Sequence, residues 1–182
     1  MKFKVWEKIS STEIFQNDYW SYRVDDFRLD SSLLGKYHYV HTPGSTMIIP
    51  KANDGKFILV EQFRYLNQKN SIELPCGGVK PNLSYEENAH KELREETGYD
   101  SYHLKYIGEF SPFTGAADEI CKVFLADNLY LNPLAPDKTE EFKIHFLTYD
   151  EINDLISSNI IWDGLTLAAW TLFDKHKGNL NV

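Results

Sequence analysis

Three glutamates, at positions 92, 95 and 96, have a spacing that could do chemistry. Separations of three and four residues put all of them on one face of a helix, within about 100° of arc. Like charges so placed repel by roughly 0.2–0.5 kcal/mol per pair on an exposed helix, and by more against a sheet. Two readings compete. In the first, Lys91 and Arg94 flank a solvated acidic face as counter-charges. In the second, the carboxylates are hard oxygen ligands for Mg2+, which removes the repulsion and bridges to phosphate groups.

The element that must position them is a helix over residues 84–98. Ser84 followed by Glu87 is a capping-box pair, and Glu86 and Glu87 suit the positive end of the helix dipole. Gly98 is placed to end the helix, and Tyr85, Ala89 and Leu93 form a narrow apolar stripe for the core. Around this helix the pattern predicts strands. Residues 45–50 and 57–63 are apolar runs joined by Asn53-Asp54-Gly55, a hairpin signal. A short strand over 71–74 runs into Pro75. Strands over 102–110 and 121–126 flank a Pro/Gly-rich loop, and another covers 142–147. Thr148 with Glu151, and Asp163 with Thr166, open two closing helices, the first with capping-box spacing. Upstream, Trp20, Tyr22 and Val24, then Phe27 and Leu29, then Tyr37, Tyr39 and His41, read as a small antiparallel sheet. Strands grouped around one central helix, with more helix at the end, indicate an α+β fold rather than an alternating doubly wound one.

The 182 residues fit one domain with a small appended element, and 42% apolar content is enough for a core. A formal charge of −8 without a basic cluster argues against nucleic acid and anionic membrane as partners. It does not argue against a phosphorylated small molecule, because a bound metal reverses the local field. Cys76 and Cys121 make neither a disulfide framework nor a metal-knuckle spacing, so both are expected to be small buried apolar residues. The start MKFKVWEKIS shows no signal-peptide pattern, and no run of about 18 apolar residues exists. A cytoplasmic location is the expectation.

Beyond the glutamates, Gly77 stands six residues before position 83, and Lys91-Glu92-Leu93-Arg94-Glu95-Glu96-Thr97-Gly98-Tyr99 follows. This stretch resembles the Nudix box: Gly, five residues, Glu, seven residues, then Arg-Glu-apolar-any-Glu-Glu-any-Gly-apolar. Two positions depart from it. Leu83 stands where the family has its first Glu, which supports the site, and Lys91 stands where its Arg braces the box glutamates. Lys keeps the charge but loses the bidentate fork. The likeness extends over roughly residues 20–175, most closely to the ADP-ribose pyrophosphatase group. The residues that carry it are Gln62-Phe63-Arg64, Glu73-Leu74-Pro75-Cys76-Gly77 and the loop 111–119 ending in Asp118-Glu119.

The resemblance implies a Nudix-type α/β/α sandwich with a mixed sheet over residues 43–182. Strands within 1–42 would serve dimerisation and the substrate pocket. It implies metal ligation by Glu92, Glu95, Glu96 and the Cys76 carbonyl, with Mg2+ as cofactor and Mn2+ as an alternative. Glu95 also counts among the catalytic groups. Glu119 is the expected general base, with Asp118, Glu140 and Glu141 as alternatives. Arg64 and Glu73 are expected at the substrate, and Trp20, with Tyr22, Tyr37 and Tyr39, is a candidate for stacking on the base, although core packing explains each ring as well. The implied reaction is hydrolysis of a nucleoside diphosphate derivative, foremost ADP-ribose to AMP and ribose 5-phosphate, by a homodimer. GDP-mannose, another nucleotide sugar or a dinucleotide remain alternative substrates, and a non-catalytic nucleotide binder is a third reading, resting on Leu83 and Lys91. Asp163-Gly164-Leu165-Thr166 is expected to be a helix start without chemistry.

Overall fold

A computed structural model describes residues 3–29, 33–137 and 139–177. Within them the chain order is β1 (Glu7–Gln16), β2 (Ser21–Arg28), β3 (Leu34–His41), β4 (Ser45–Pro50), β5 (Phe57–Arg64), β6 (Lys69–Glu73), β7 (Cys76–Gly78), α1 (Tyr85–Thr97), β8 (Tyr99–Phe110), β9 (Cys121–Leu131), β10 (Lys143–Leu147), α2 (Tyr149–Ser157) and α3 (Gly164–His176). The fold is α+β. Sheets run β1-β2-β3, β10-β5-β6 and β7-β4-β9-β8, and the last is mixed because β4 and β9 are parallel, Ser45 opposite Cys121.

The apolar β4 is buried along its whole length, and its alternation feeds two cores. Ile48 packs with Ala89 and Leu93 of α1 and with Phe124. Met47 and Ile49 join Phe57, Leu59, Trp170 and Phe173 on the other side. The sheet is therefore covered by α1 on one face and by α2, α3 and the second sheet on the other. Phe57 meets Trp170 and Phe173 edge-on at 5.0 and 5.2 Å, the geometry aromatic quadrupoles favour.

The capping signals form as the sequence predicts. Ser84 and Thr148 each make both bonds of a capping box, and Asp163 accepts the amide of Thr166. Gly98 ends α1 with φ 78°, a left-handed backbone that glycine adopts without a Cβ penalty. The expected hairpin at Asn53-Asp54-Gly55 does not form. The turn closes, with Gly55 N bonded to Ala52 O at 2.9 Å, but β4 and β5 share only the Lys51–Phe57 bridge and then part into different sheets. Both edges of β4 are already taken, by β7 and β9. The N-terminal sheet is antiparallel, and β1, which the aromatic pattern does not reveal, is exposed throughout. Cys121 is fully buried and Cys76 partly so, both as free thiols packed in the core of Met47 and Ile49.

Candidate active site

One stripe of α1 lies along β7. Residues 88, 92 and 96 recur every four positions and so stack on one face of the helix. Glu96 accepts the Cys76 amide on Oε1 at 3.4 Å. The Glu92 carboxylate lies so close to Gly77 that a Cβ there would stand 2.3 Å from its carboxyl carbon, so a larger residue at 77 would displace the acid. Asn88 closes the stripe with its carboxamide on the Gly77–Lys80 segment.

Both acids are buried, each 7% exposed. Burial raises the Glu92 carboxyl, with Glu95 adding to it and Lys91 opposing. Burial pushes Glu96 well above the usual carboxylate range, and the charges of Glu92, Glu140 and Glu73 push the same way. Glu96 Oε2 has no hydrogen-bond partner, an omission that ordinarily costs about 1–3 kcal/mol. Glu95 is held apart by the Lys91 ammonium, which also reaches Glu92 at 3.5 Å. Among the described residues no three His, Cys, Asp or Glu side chains converge into a ready metal-binding group. Lys91 supplies the positive charge beside Glu92 and Glu95.

A second charged group faces this stripe. Arg64, at the end of β5, donates from Nε to Glu73 Oε1 at 2.8 Å and from Nη2 to Oε2. Gln62 adds a 3.4 Å bond to the same carboxylate. Glu73 is 2% exposed, so it anchors Arg64 from beneath, whereas Arg64 is half-exposed and presents its outer edge. Glu96 and Asp163 both favour the charged guanidinium. The turn after Glu73 is fixed from α3: the Leu74 amide donates to Thr166 Oγ1 at 3.1 Å, a tie the expected helix start hides in sequence.

The loop 111–119 is stitched to the N-terminal sheet rather than to α1. Val40 N donates to Ala116 O at 2.8 Å, and Asp118 N donates to Val40 O at 3.1 Å. Tyr37 Oη donates to Gly115 O at 2.9 Å. Asp118 pairs with His41 at 2.7 Å and accepts the Thr42 amide. Glu119 accepts the Ser45 hydroxyl at 2.6 Å, and Ser45 pairs with Gly78 of β7, so Glu119 stands one strand from the Gly77 turn. Between sheet and loop is a cleft of about 330 Å³ lined by Lys8, Asp25, Tyr37, Tyr39 and Asp118. Trp20 packs on Phe15 at 5.6 Å in the β1–β2 turn region, in a different sheet from Arg64.

Around β7 the fold gathers Glu92 and Glu96, singled out by spacing, with Arg64, Glu73 and Cys76, singled out by the resemblance; neither signal points to Asn88 or Ser45. A polar residue four positions before Glu92 was the available signal for Asn88.

Comparison with known proteins places the chain in a family. The chain is 31% identical over 163 residues to the ADP-ribose pyrophosphatase of Bacillus subtilis (strain 168), covering 88% of each chain. The methanol dehydrogenase activator of Bacillus methanolicus matches with the same identity and coverage. A crystal structure of an ADP compounds hydrolase superposes with a TM-score of 0.84 over 100% of both chains at 18% identity, a likeness of fold. The family model for the NUDIX domain matches residues 41–164, which takes in β4, the α1 stripe and the loop 111–119, and the chain belongs to the Nudix family.

Proposed function

We propose that this Nudix pyrophosphohydrolase cleaves the pyrophosphate of ADP-ribose, or of a closely related nucleoside diphosphate sugar, with Mg2+ or Mn2+ as cofactor. The observation that carries the reading is the buried Glu92–Glu96 pair of α1 packed against β7, with a carboxylate oxygen lacking any partner. Two desolvated acids side by side oppose folding unless something positive satisfies them. The donor set is all oxygen, which suits a hard divalent cation. Glu92, Glu96, the Cys76 carbonyl and, once released by Lys91, Glu95 would hold it. Bound there, a divalent ion supplies charge neutralisation for the pyrophosphate and a more acidic water.

The remaining work falls to side chains. Arg64, preset by Glu73, offers its exposed guanidinium edge to phosphate oxygens, where charge grows during attack on phosphorus. For proton removal, the resemblance points to Glu119, but that carboxylate is engaged by Ser45. Glu140, held by no helix or strand, accepts a longer bond, from the Asp137 amide at 3.3 Å, and its charge acts on Glu96. We therefore take Glu140 as the general base, with Glu119 second. The cleft between Tyr37, Tyr39 and the loop 111–119 offers rings and a carboxylate for the nucleoside. Exposed apolar side chains on β1 and in the turn after it, among them Ile9, Ile14, Phe15 and Trp20, support residues 1–42 as the contact for a second copy in a homodimer. No helix of the described residues is long and apolar enough to cross a membrane.

The test is product analysis over ADP-ribose, nucleotide sugars, dinucleotides and triphosphates, with Mg2+, Mn2+ or chelator. AMP and ribose 5-phosphate from ADP-ribose, lost on chelation, are the expected result. Metal-independent release, or no release from any of them, would refute the reading.

A further inference from the structure

The carboxamide of Asn88 is fully buried in α1, at 0% exposure. Asn in a helix interior is an unfavourable choice by propensity, and a buried amide without partners costs several kcal/mol. Here three of its four hydrogen-bonding positions are used. Oδ1 accepts the Lys80 amide at 3.1 Å. Nδ2 donates to Thr46 Oγ1 at 2.9 Å and to the Gly77 carbonyl at 3.4 Å. Thr46 and Gly77 are themselves a register pair of β4 and β7. One side chain therefore joins the helix to a central strand, to β7 and to the loop that leaves β7.

We infer that Asn88 is a positioning residue that fixes the separation between α1 and β7, and so the gap between the Glu92 and Glu96 carboxylates and the Cys76–Gly77 backbone. That separation is close. Glu92 stands one turn from Asn88 and already touches the Cα side of Gly77 at a distance no Cβ tolerates. Glu96 stands two turns away and reaches the Cys76 amide at the long limit of a hydrogen bond. Apart from the Glu96–Cys76 bond, Asn88 supplies the hydrogen bonds that tie this helix face to the segment 76–80. Two buried carboxylates would regain water if helix and loop parted, so the gap would otherwise tend to open. Because the Asn88 carboxamide is neutral, it holds the gap closed without competing for a cation. The inference rests on the metal-dependent reading above.

The test compares Asn88→Leu, close in volume but unable to bond, with Ser101→Ala. Ser101 is a buried polar residue of β8 bonded to the backbone of His103 and Asp127, so its loss costs stability away from β7. Mn2+ binding to the metal-free proteins is measured by calorimetric titration, beside thermal unfolding. Asn88→Leu is expected to weaken Mn2+ at least tenfold, about 1.4 kcal/mol, while Ser101→Ala lowers the melting temperature and leaves affinity unchanged. Equal Mn2+ affinity in Asn88→Leu and wild type would overturn the inference alone. No Mn2+ binding by the wild type would overturn the metal reading and this inference with it. Hydrogen exchange on the metal-free wild type needs no variant. The Lys80 amide should exchange at least a hundredfold slower than an unbonded loop amide, and free exchange there would show that the clasp does not hold.

Discussion

Glu96 accepts the amide of Cys76 with one carboxylate oxygen and leaves the other buried without a partner. Burial has raised its pKa above the ordinary 4.5. Below about pH 4.5 folded and unfolded chains both hold the proton, and nothing is lost. As pH rises, the unfolded chain releases it while the folded chain retains it, so stability falls until the folded-state pKa is passed. Metal-free Glu96→Gln should thus melt higher than wild type at pH 7 and equal to it near pH 4, while losing nearly all turnover. An increase of a few degrees is expected, since about 1 kcal/mol moves a domain of this size by roughly 2–4 °C. Scanning calorimetry at both pH values checks it, and near-normal turnover in the variant would remove Glu96 from the site.

Glu140 and Glu119 differ in what they face. The Ser45 hydroxyl donates to Glu119 Oε1 at 2.6 Å, so one of its carboxylate oxygens is already engaged. Glu140 sits in the field of Glu96. Glu140→Gln should lower kcat by about 10²–10⁴, the usual range for a general base. Glu119→Gln should cost less than about tenfold. The reverse order in kcat would return the role to Glu119.

Arg64 and Glu73 act as one unit. Removing Arg64 alone leaves a nearly inaccessible carboxylate unpaired, so Arg64→Ala should destabilise the fold by about 1–3 kcal/mol. Adding Glu73→Gln should restore part of that stability without restoring kcat/KM. Arg64→Lys, which keeps charge but not the fork, should lower kcat/KM at least tenfold. Denaturant melts and steady-state kinetics on the double-mutant cycle check both. Additive stability losses would show that the two side chains are not coupled.

The parts legible in sequence were those written in local patterns. Capping pairs at Ser84, Thr148 and Asp163 fix helix starts within one turn, and the spacing of Glu92 and Glu96 fixes a face. Strand partners were not legible. Asn53-Asp54-Gly55 encodes a turn, yet which edge β4 offers depends on β7 and β9, 26 or more residues away in chain. Asn88 was hidden for the same reason, since its three partners come from β4, β7 and the following loop. Glu73 reads as a substrate residue by motif, while its place beneath Arg64 follows from β5–β6 pairing.

Leu83 and Lys91 are the two departures from the box. Lys91 bonds Glu95 and reaches Glu92, so it competes with any cation for the same acids. Leu83→Glu with Lys91→Arg should lower the Mg2+ concentration needed for half-maximal rate, by about threefold or more. Titration of activity with Mg2+ measures it. No change would mean that other groups already compensate for both residues.

Substrate size decides the last prediction. ADP-ribose carries two sugars and a base, so its recognition needs surface beyond the α1–β7 site. The N-terminal sheet supplies such surface: Tyr37 and Tyr39 of β3 face the loop 111–119 across the cleft, and Val40 bonds that loop on both its backbone groups. We predict at least tenfold higher kcat/KM for ADP-ribose or a close nucleoside diphosphate sugar than for any nucleoside triphosphate, roughly 1.4 kcal/mol in the transition state. Deleting residues 1–42 removes the cleft wall, the Val40 bonds and the exposed apolar strand β1 together. The truncated chain should lose the preference and elute as a monomer where the full chain elutes as a dimer. Kinetics on both substrate classes, with light scattering on both chains, make the comparison. A truncated chain of unchanged selectivity would assign recognition to the Nudix domain alone, and a full-length monomer would leave β1 without its proposed partner.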